Sequence, residues 1–145
     1  MGFTLTIKGQ ETIYFSENMI SSVHVQLSTP HDSKAKSTDH AATLWVTGKL
    51  LSTEIGASNS DTLKLFDWSL VPAQSADAYR DVIVKVISAD QTFRKIHLPI
   101  AFIIDYSERY ADNTGVGEFT LVLRQRADQI PLVKATSGGS DDSEE

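Results

Sequence analysis

Cysteine is absent from this 145-residue chain, which excludes disulfide bridges and thiolate metal sites as sources of its stability. A chain of this kind suits folding in a reducing cytoplasm and also tolerates later export. Clustered basic residues are missing too. Lys and Arg number 13 against 19 Asp and Glu, for a formal net charge of −6. Phosphate backbones are therefore poor partners, because binding them requires grouped Lys and Arg that displace counterions. No apolar run approaches the roughly 18–20 residues that span a bilayer. The opening MGFTLTIKG lacks the basic region and long apolar stretch of a secretory signal. Met1-Gly2 followed by Thr6 matches the myristoylation pattern, but Phe3, Leu5 and Ile7 read as the inward face of a first strand, and that reading is preferred. No internal repeat is present.

Motifs that carry chemistry are equally scarce. His24, His31, His40 and His97 show no metal-ligand spacing such as H-E-x-x-H. His31-Asp32 and Asp39-His40 sit at the two ends of one polar loop and are read as solvated neighbours. No G-x-S-x-G elbow occurs, and Gly115-Val116-Gly117 is a two-glycine turn followed by a strand, not a dinucleotide fingerprint. Asp105 and Glu108 lie at a strand end, and Asp141, Asp142, Glu144 and Glu145 lie in a tail, so neither group reads as an acid–base pair. The expectation is a non-enzyme with no catalytic residue, cofactor or metal site. Trp68, beside Phe66, reads as core, whereas Trp45, in line with Thr43 and Thr47, is a candidate for an interface.

What the chain does contain is strand. Segment 79–126 holds four strand-like stretches joined by short polar turns. Phe102, Ile104 and Tyr106 alternate with Ile103, Asp105 and Ser107, and Phe119, Leu121 and Leu123 with Thr120, Val122 and Arg124. A period of two marks a sheet with two unlike faces. Residues 3–8 and 11–15 predict a hairpin around Gly9-Gln10. In 20–29, Val23, Val25 and Leu27 oppose Ser22, His24, Gln26 and Ser28, and Pro30 ends the strand. Residues 31–40 form a polar loop, and 42–51 a further strand with Leu44, Val46 and Leu50 on one face. One helix is predicted over 59–70. Ser58, Ser60 or Asp61 supplies its cap, Leu63, Phe66 and Leu70 form its apolar face, and Pro72 limits its extension. The order β-β-β-β-α-β-β-β-β predicts a mainly β fold, a small barrel or sandwich of about eight strands with one α-helix packed against it. Residues 1–132 read as the domain and 133–145 as a flexible acidic tail.

Several of these pieces together resemble the haemolysin-coregulated protein of type VI secretion systems and the related tail-tube proteins of contractile phages and phage-like particles. They are Ser37-Thr38-Asp39 leading into strand 42–50, the helix TLKLFDW (62–68), strand 82–87, AFIIDYSE (101–108) and GVGEFTL (115–121). The resemblance spans about residues 3–126 and carries no chemical signature. It implies a β-barrel flanked by a helix, six copies to a ring, and rings stacked into a hollow tube. It further implies partners in sheath, baseplate and spike proteins, protein cargo in the lumen, and assembly in the cytoplasm before release in a secreted or virion-like particle. On this analogy Ser22, His24 and Gln26 face the lumen, and Lys34, Lys36 and Asp39 in the polar loop carry ring stacking. From the residues alone, a monomeric β-barrel binding module and a hydrolase remain open as alternatives.

Overall fold

The alternation in the first strands has the expected consequence. The computed structural model, which describes residues 1–29, 40–51, 61–113 and 115–137, buries Leu5 and Ile7 of β1 (Gly2–Lys8) and Ile13 and Phe15 of β2 (Thr12–Phe15). The two strands pair antiparallel as a hairpin, with the Gly9 amide donating to the Glu11 carbonyl at 3.1 Å. β3 (Ile20–Ser28) and β4 (Ala41–Leu51) follow, then α1 (Asp61–Ser69). After a short 3-10 turn at Ala76–Ala78 come β5 (Arg80–Ser88), β6 (Gln91–Arg109) and β7 (Val116–Gln125). A 3-10 segment, Ala127–Leu132, leads into β8 (Lys134–Ser137).

These eight strands form one antiparallel sheet in the order β2-β1-β5-β6-β7-β4-β3, with β8 added to β6. The sheet curls around a core in which Phe15 lies 5.3 Å from Phe119 and Leu44, Val46, Leu121 and Leu123 are fully buried. Its two ends, β2 and β3, are not hydrogen-bonded to each other. The mainly β class and the single packed helix match the sequence reading; the closed barrel does not, because the curl stops short of joining its edges.

Three further differences have physical causes. Residues 91–109 form one strand of 19 residues, not two. Its first half pairs with β5 as far as Ala101↔Arg80, and its second half pairs with β7 from Ala101↔Gln125 onward. Pro99 cannot donate to a ladder, and the register shifts beside it. There the buried Gln125 side chain takes over, its Oε1 accepting from the Ile100 amide at 3.1 Å and its Nε2 donating to the Gln129 carbonyl at 2.9 Å. Second, a bulge between Ile103 and Asp105 breaks the simple alternation of Phe102, Ile104 and Tyr106. A bulge adds one residue to one strand and re-aims those after it, so Ile103 and Tyr106 join the core side while Phe102 and Asp105 share the other. Third, Lys134–Ser137 pairs with Arg94–His97 of β6, so the ordered sheet extends past residue 132. Residues 138–145 lie outside the described residues.

The β5–β6 turn exposes a correctable strain. Ser88 pairs directly with Gln91, and the two residues between them, Ala89 and Asp90, have φ of 53° and 64°. Two positive φ values define the type I′ turn that suits asparagine and glycine, and alanine is held there at a steric cost. Ala89→Asn combined with Asp90→Gly is expected to raise stability by about 1 kcal/mol. A higher urea midpoint at unchanged slope would show it; an unaltered midpoint would contradict it.

Candidate functional site

Backbone register places side chains in rows across the four strands β3-β4-β7-β6. Ser22, Thr47, Thr120 and Ser107 form one row; His24, Trp45, Val122 and Asp105 the next; Gln26, Thr43, Arg124 and Phe102 a third. Paired residues share a face, so all three rows lie on one side of the sheet. The other side of the same strands carries Val46, Leu44, Leu121 and Leu123 into the core. The result is a wall with an apolar back and a front mostly of hydroxyls with His24, Gln26, Asp105 and Arg124, interrupted by Trp45, Val122 and Phe102. Ser22, His24 and Gln26 are exposed on that front. The His24 ring lies tilted against Trp45 with centroids 4.8 Å apart, and Arg124 Nε donates to Thr43 Oγ1 at 3.4 Å.

Among the described residues no strand pairs with either outer edge of this four-stranded wall. That holds for the far edge of β3, and on β6 for residues 102–109, past the point where β5 departs at Arg80↔Ala101. Unpaired edges are templates for another strand.

The helix stands beside the open edge of β6, with Phe66 meeting Tyr106 edge-on at 6.1 Å. It buries Thr62, Leu65 and Trp68, and Trp68 Nε1 donates to the Ala78 carbonyl at 3.2 Å. This reverses the face expected from sequence. Leu63, Phe66 and Leu70 are 48%, 41% and 69% exposed. Leu63, Leu65, Phe66 and Trp68 leave two apolar faces on the nine-residue helix, and helical spacing alone does not choose between them. Trp68 is core, as expected. The cap residues Ser58 and Ser60 lie outside the described residues.

Between the end of α1 and the start of the open edge is a cleft of about 170 Å³ lined by Trp68, Val71, Ala73, Tyr79, Phe102 and Ile103. Below it Arg80, 4% exposed, joins Asp77 through Nη2–Oδ2 at 2.6 Å and lies 5.0 Å from the Trp68 ring. At the opposite end of β6, Glu108 accepts from the hydroxyls of both Tyr106, at 2.5 Å, and Tyr110. Burial and then this carboxylate hold the Tyr106 hydroxyl well above the usual tyrosine range; for Tyr110 the Glu108 hydrogen bond is the larger cause. Both tyrosines thus stay protonated and donating.

His97 pairs with Asp81. Among the described residues no group of three or more His, Cys, Asp and Glu could hold a metal ion. Lys34, Lys36, Asp39 and His31 lie outside the described residues.

No family model and no curated protein matches the sequence. Solved structures do match the fold along nearly the whole chain. Hcp1 from Flavobacterium johnsoniae superposes with a TM-score of 0.59 at 19% identity, covering 97% of each chain. Hcp1 from E. coli EAEC 042 gives 0.56 at 9% identity over 94% of this chain and 99% of that one. A chain of the PVC sheath–tube complex, an extracellular contractile injection system, gives 0.54 at 12% identity over 94% and 88%. The curled sheet with one helix is therefore the fold of Hcp1 and of a component of a contractile injection system's sheath–tube complex.

Proposed function

We propose that this chain is the inner-tube subunit of a contractile, phage-tail-like injection machine and has no enzymatic role. The observation that carries this reading is the four-stranded wall, mostly polar on its front and, among the described residues, unpaired at both lateral edges. A rotation that carries one copy to the next preserves strand direction. β3 runs antiparallel to β4, β4 to β7, and β7 to β6, so β3 of the next copy arrives antiparallel to β6. Copies can close into a ring with no clash of direction, which covers edges that would otherwise aggregate. Ser22, His24 and Gln26 then face a water-filled lumen. The shared fold with Hcp1 and with the sheath–tube complex supports the same reading.

Six copies form a ring, rings stack into a tube, and sheath, baseplate and spike proteins surround and tip it. The tube assembles in the cytoplasm and leaves in the particle. A conduit of net charge −6 per subunit weakly repels nucleic acid and acidic proteins, so protein cargo slides instead of sticking. The test is solution mass by light scattering after size exclusion, across a range of protein concentrations. A species near six times the 15.9 kDa chain, or stacked multiples of it, is expected; a monomer at every concentration would remove the argument from the edges.

Stacking through Lys34, Lys36 and Asp39 is a separate element of the proposal. Exposed charge pairs are screened by salt, so tubes viewed by electron microscopy should shorten as salt rises. Equal lengths at low and high salt would exclude that loop as the stacking contact.

A further inference from the structure

One side of β1 and β5 supports the core; the other carries positive charge. Register places Thr4, Lys85, Lys95 and Thr136 in one row across β1-β5-β6-β8, and Thr6, Ile83, His97 and Lys134 in the next, with Lys8 opposite Asp81 beyond them. Paired residues share a face, and this one is opposite Leu5, Ile7, Val82, Val84 and Ile96, which pack inward. Four lysines thus gather on one surface of a chain whose net charge is −6. The carboxylates among them are Asp81, which pairs with His97, and Glu17, whose side chain lies over Gly2 at the start of β1. Ile83 and Thr4 point the same way as the lysines but are only 3% and 8% exposed. The helix α1 lies against β2 and β6, so their cover comes from elsewhere, in part from lysine stems laid along the strands.

The complementary charge is close by in the same chain. β8 ends at Ser137, opposite Arg94 and one residue past the row of Lys95 and Lys85. Residues 138–145 read GGSDDSEE. Two glycines permit a tight reversal, and Asp141, Asp142, Glu144 and Glu145 follow. Asp141 stands a few residues beyond Ser137, a reach of up to about 14 Å. Lys95 and Lys85 are one and two strands from β8, about 5 and 10 Å.

We infer that residues 138–145 fold back over the outer face of β5 and β6 and set their carboxylates against Lys85 and Lys95. The contact lies within one subunit and is independent of ring formation. Each exposed pair is weak by itself, but a tethered segment meets its site at an effective concentration in the millimolar range. The segment neutralises a basic surface of the subunit and tethers β8, whose four residues are all exposed and add no burial of their own.

Carbodiimide, which joins an amine to a carboxylate without a spacer, tests the contact in the full chain. At low salt, cross-linked peptides should connect Lys85 and Lys95 to Asp141, Asp142, Glu144 or Glu145, and should fade at about 1 M salt, where the Debye length is about 3 Å. Lys49 of β4 and Lys64 of α1 stand off this strip and report random encounters. In an equal mixture of chains with natural and heavy nitrogen, the links should stay within one isotope. A charge-neutral tail (Asp141→Asn, Asp142→Asn, Glu144→Gln, Glu145→Gln) should let Lys85 and Lys95 acylate about twofold faster or more, with Lys49 and Lys64 unchanged. Cross-links spread evenly over all lysines, or equal acylation rates in the two chains, would overturn the docking. Mixed-isotope links would assign the tail to a second copy and overturn the fold-back.

Discussion

Asp77→Ala is expected to lower the unfolding free energy by about 3–5 kcal/mol, the largest loss anticipated for any single side chain here. Arg80 is nearly sealed from solvent, and Asp77 receives it twice, from Nη2 at 2.6 Å and from Nε at 3.2 Å, with the Asp77 carbonyl 3.2 Å from the same Nε. Trp68 covers one side of the cation, and a Cβ on Gly9 would stand 2.8 Å from its Cδ. Among the described residues Nη1 is buried with no hydrogen-bond partner, so the guanidinium has little slack. Removing the carboxylate leaves a buried cation uncompensated, which costs far more than the pair contributes over apolar substitutes. Pairing Asp77→Ala with Arg80→Met should therefore recover part of the loss. Urea unfolding measures both. A single variant within about 1 kcal/mol of the parent would contradict this account of the junction.

The second large effect concerns assembly. Leu63→Gln with Leu70→Gln should weaken ring formation by on the order of 100-fold, about 3 kcal/mol, while the isolated subunit melts close to the parent. Leu63 is 48% and Leu70, just past the end of α1, 69% exposed, and neither belongs to the core cluster, so the monomer should lose far less than the ring. They stand on and just past the helix that flanks the open edge of β6, where a neighbouring copy would lie. Light scattering against concentration reads the first quantity and thermal melting the second. Rings as tight as the parent's would place the helix outside the seam.

Most of the fold was legible because period-two alternation and turn chemistry are local. The hairpin at Gly9, the strand 20–29 and the Trp68 burial needed nothing beyond neighbouring residues. The bulge at Ile104 was not legible, since a five-residue alternation reads the same with or without one inserted residue. Nor was the outward face of α1. Leu63, Phe66 and Leu70 satisfy helical spacing as well as Leu65 and Trp68 do, and only the position of the sheet decides between them. β8 was not legible because KATS has too little apolar contrast to announce a strand. The front face of the wall was partly visible: Ser22, His24 and Gln26 could be read as one exposed side, but their rows with Thr47, Trp45 and Thr43 depend on register. The open edge at 102–109 depends on where β5 stops, which no local pattern encodes.

The length of β6 has a mechanical meaning. One strand belongs to the body of the subunit through β5 and to the wall through β7, so no linker separates the two. Wall and body cannot tilt independently without bending that strand, and the place where it could bend, beside Pro99, is cross-braced by the Gln125 amide. Force delivered to the outside of such a subunit passes to its inner surface through continuous backbone. A ring of these units would advance as a solid piston, with no joint along β6 between wall and body to absorb the stroke.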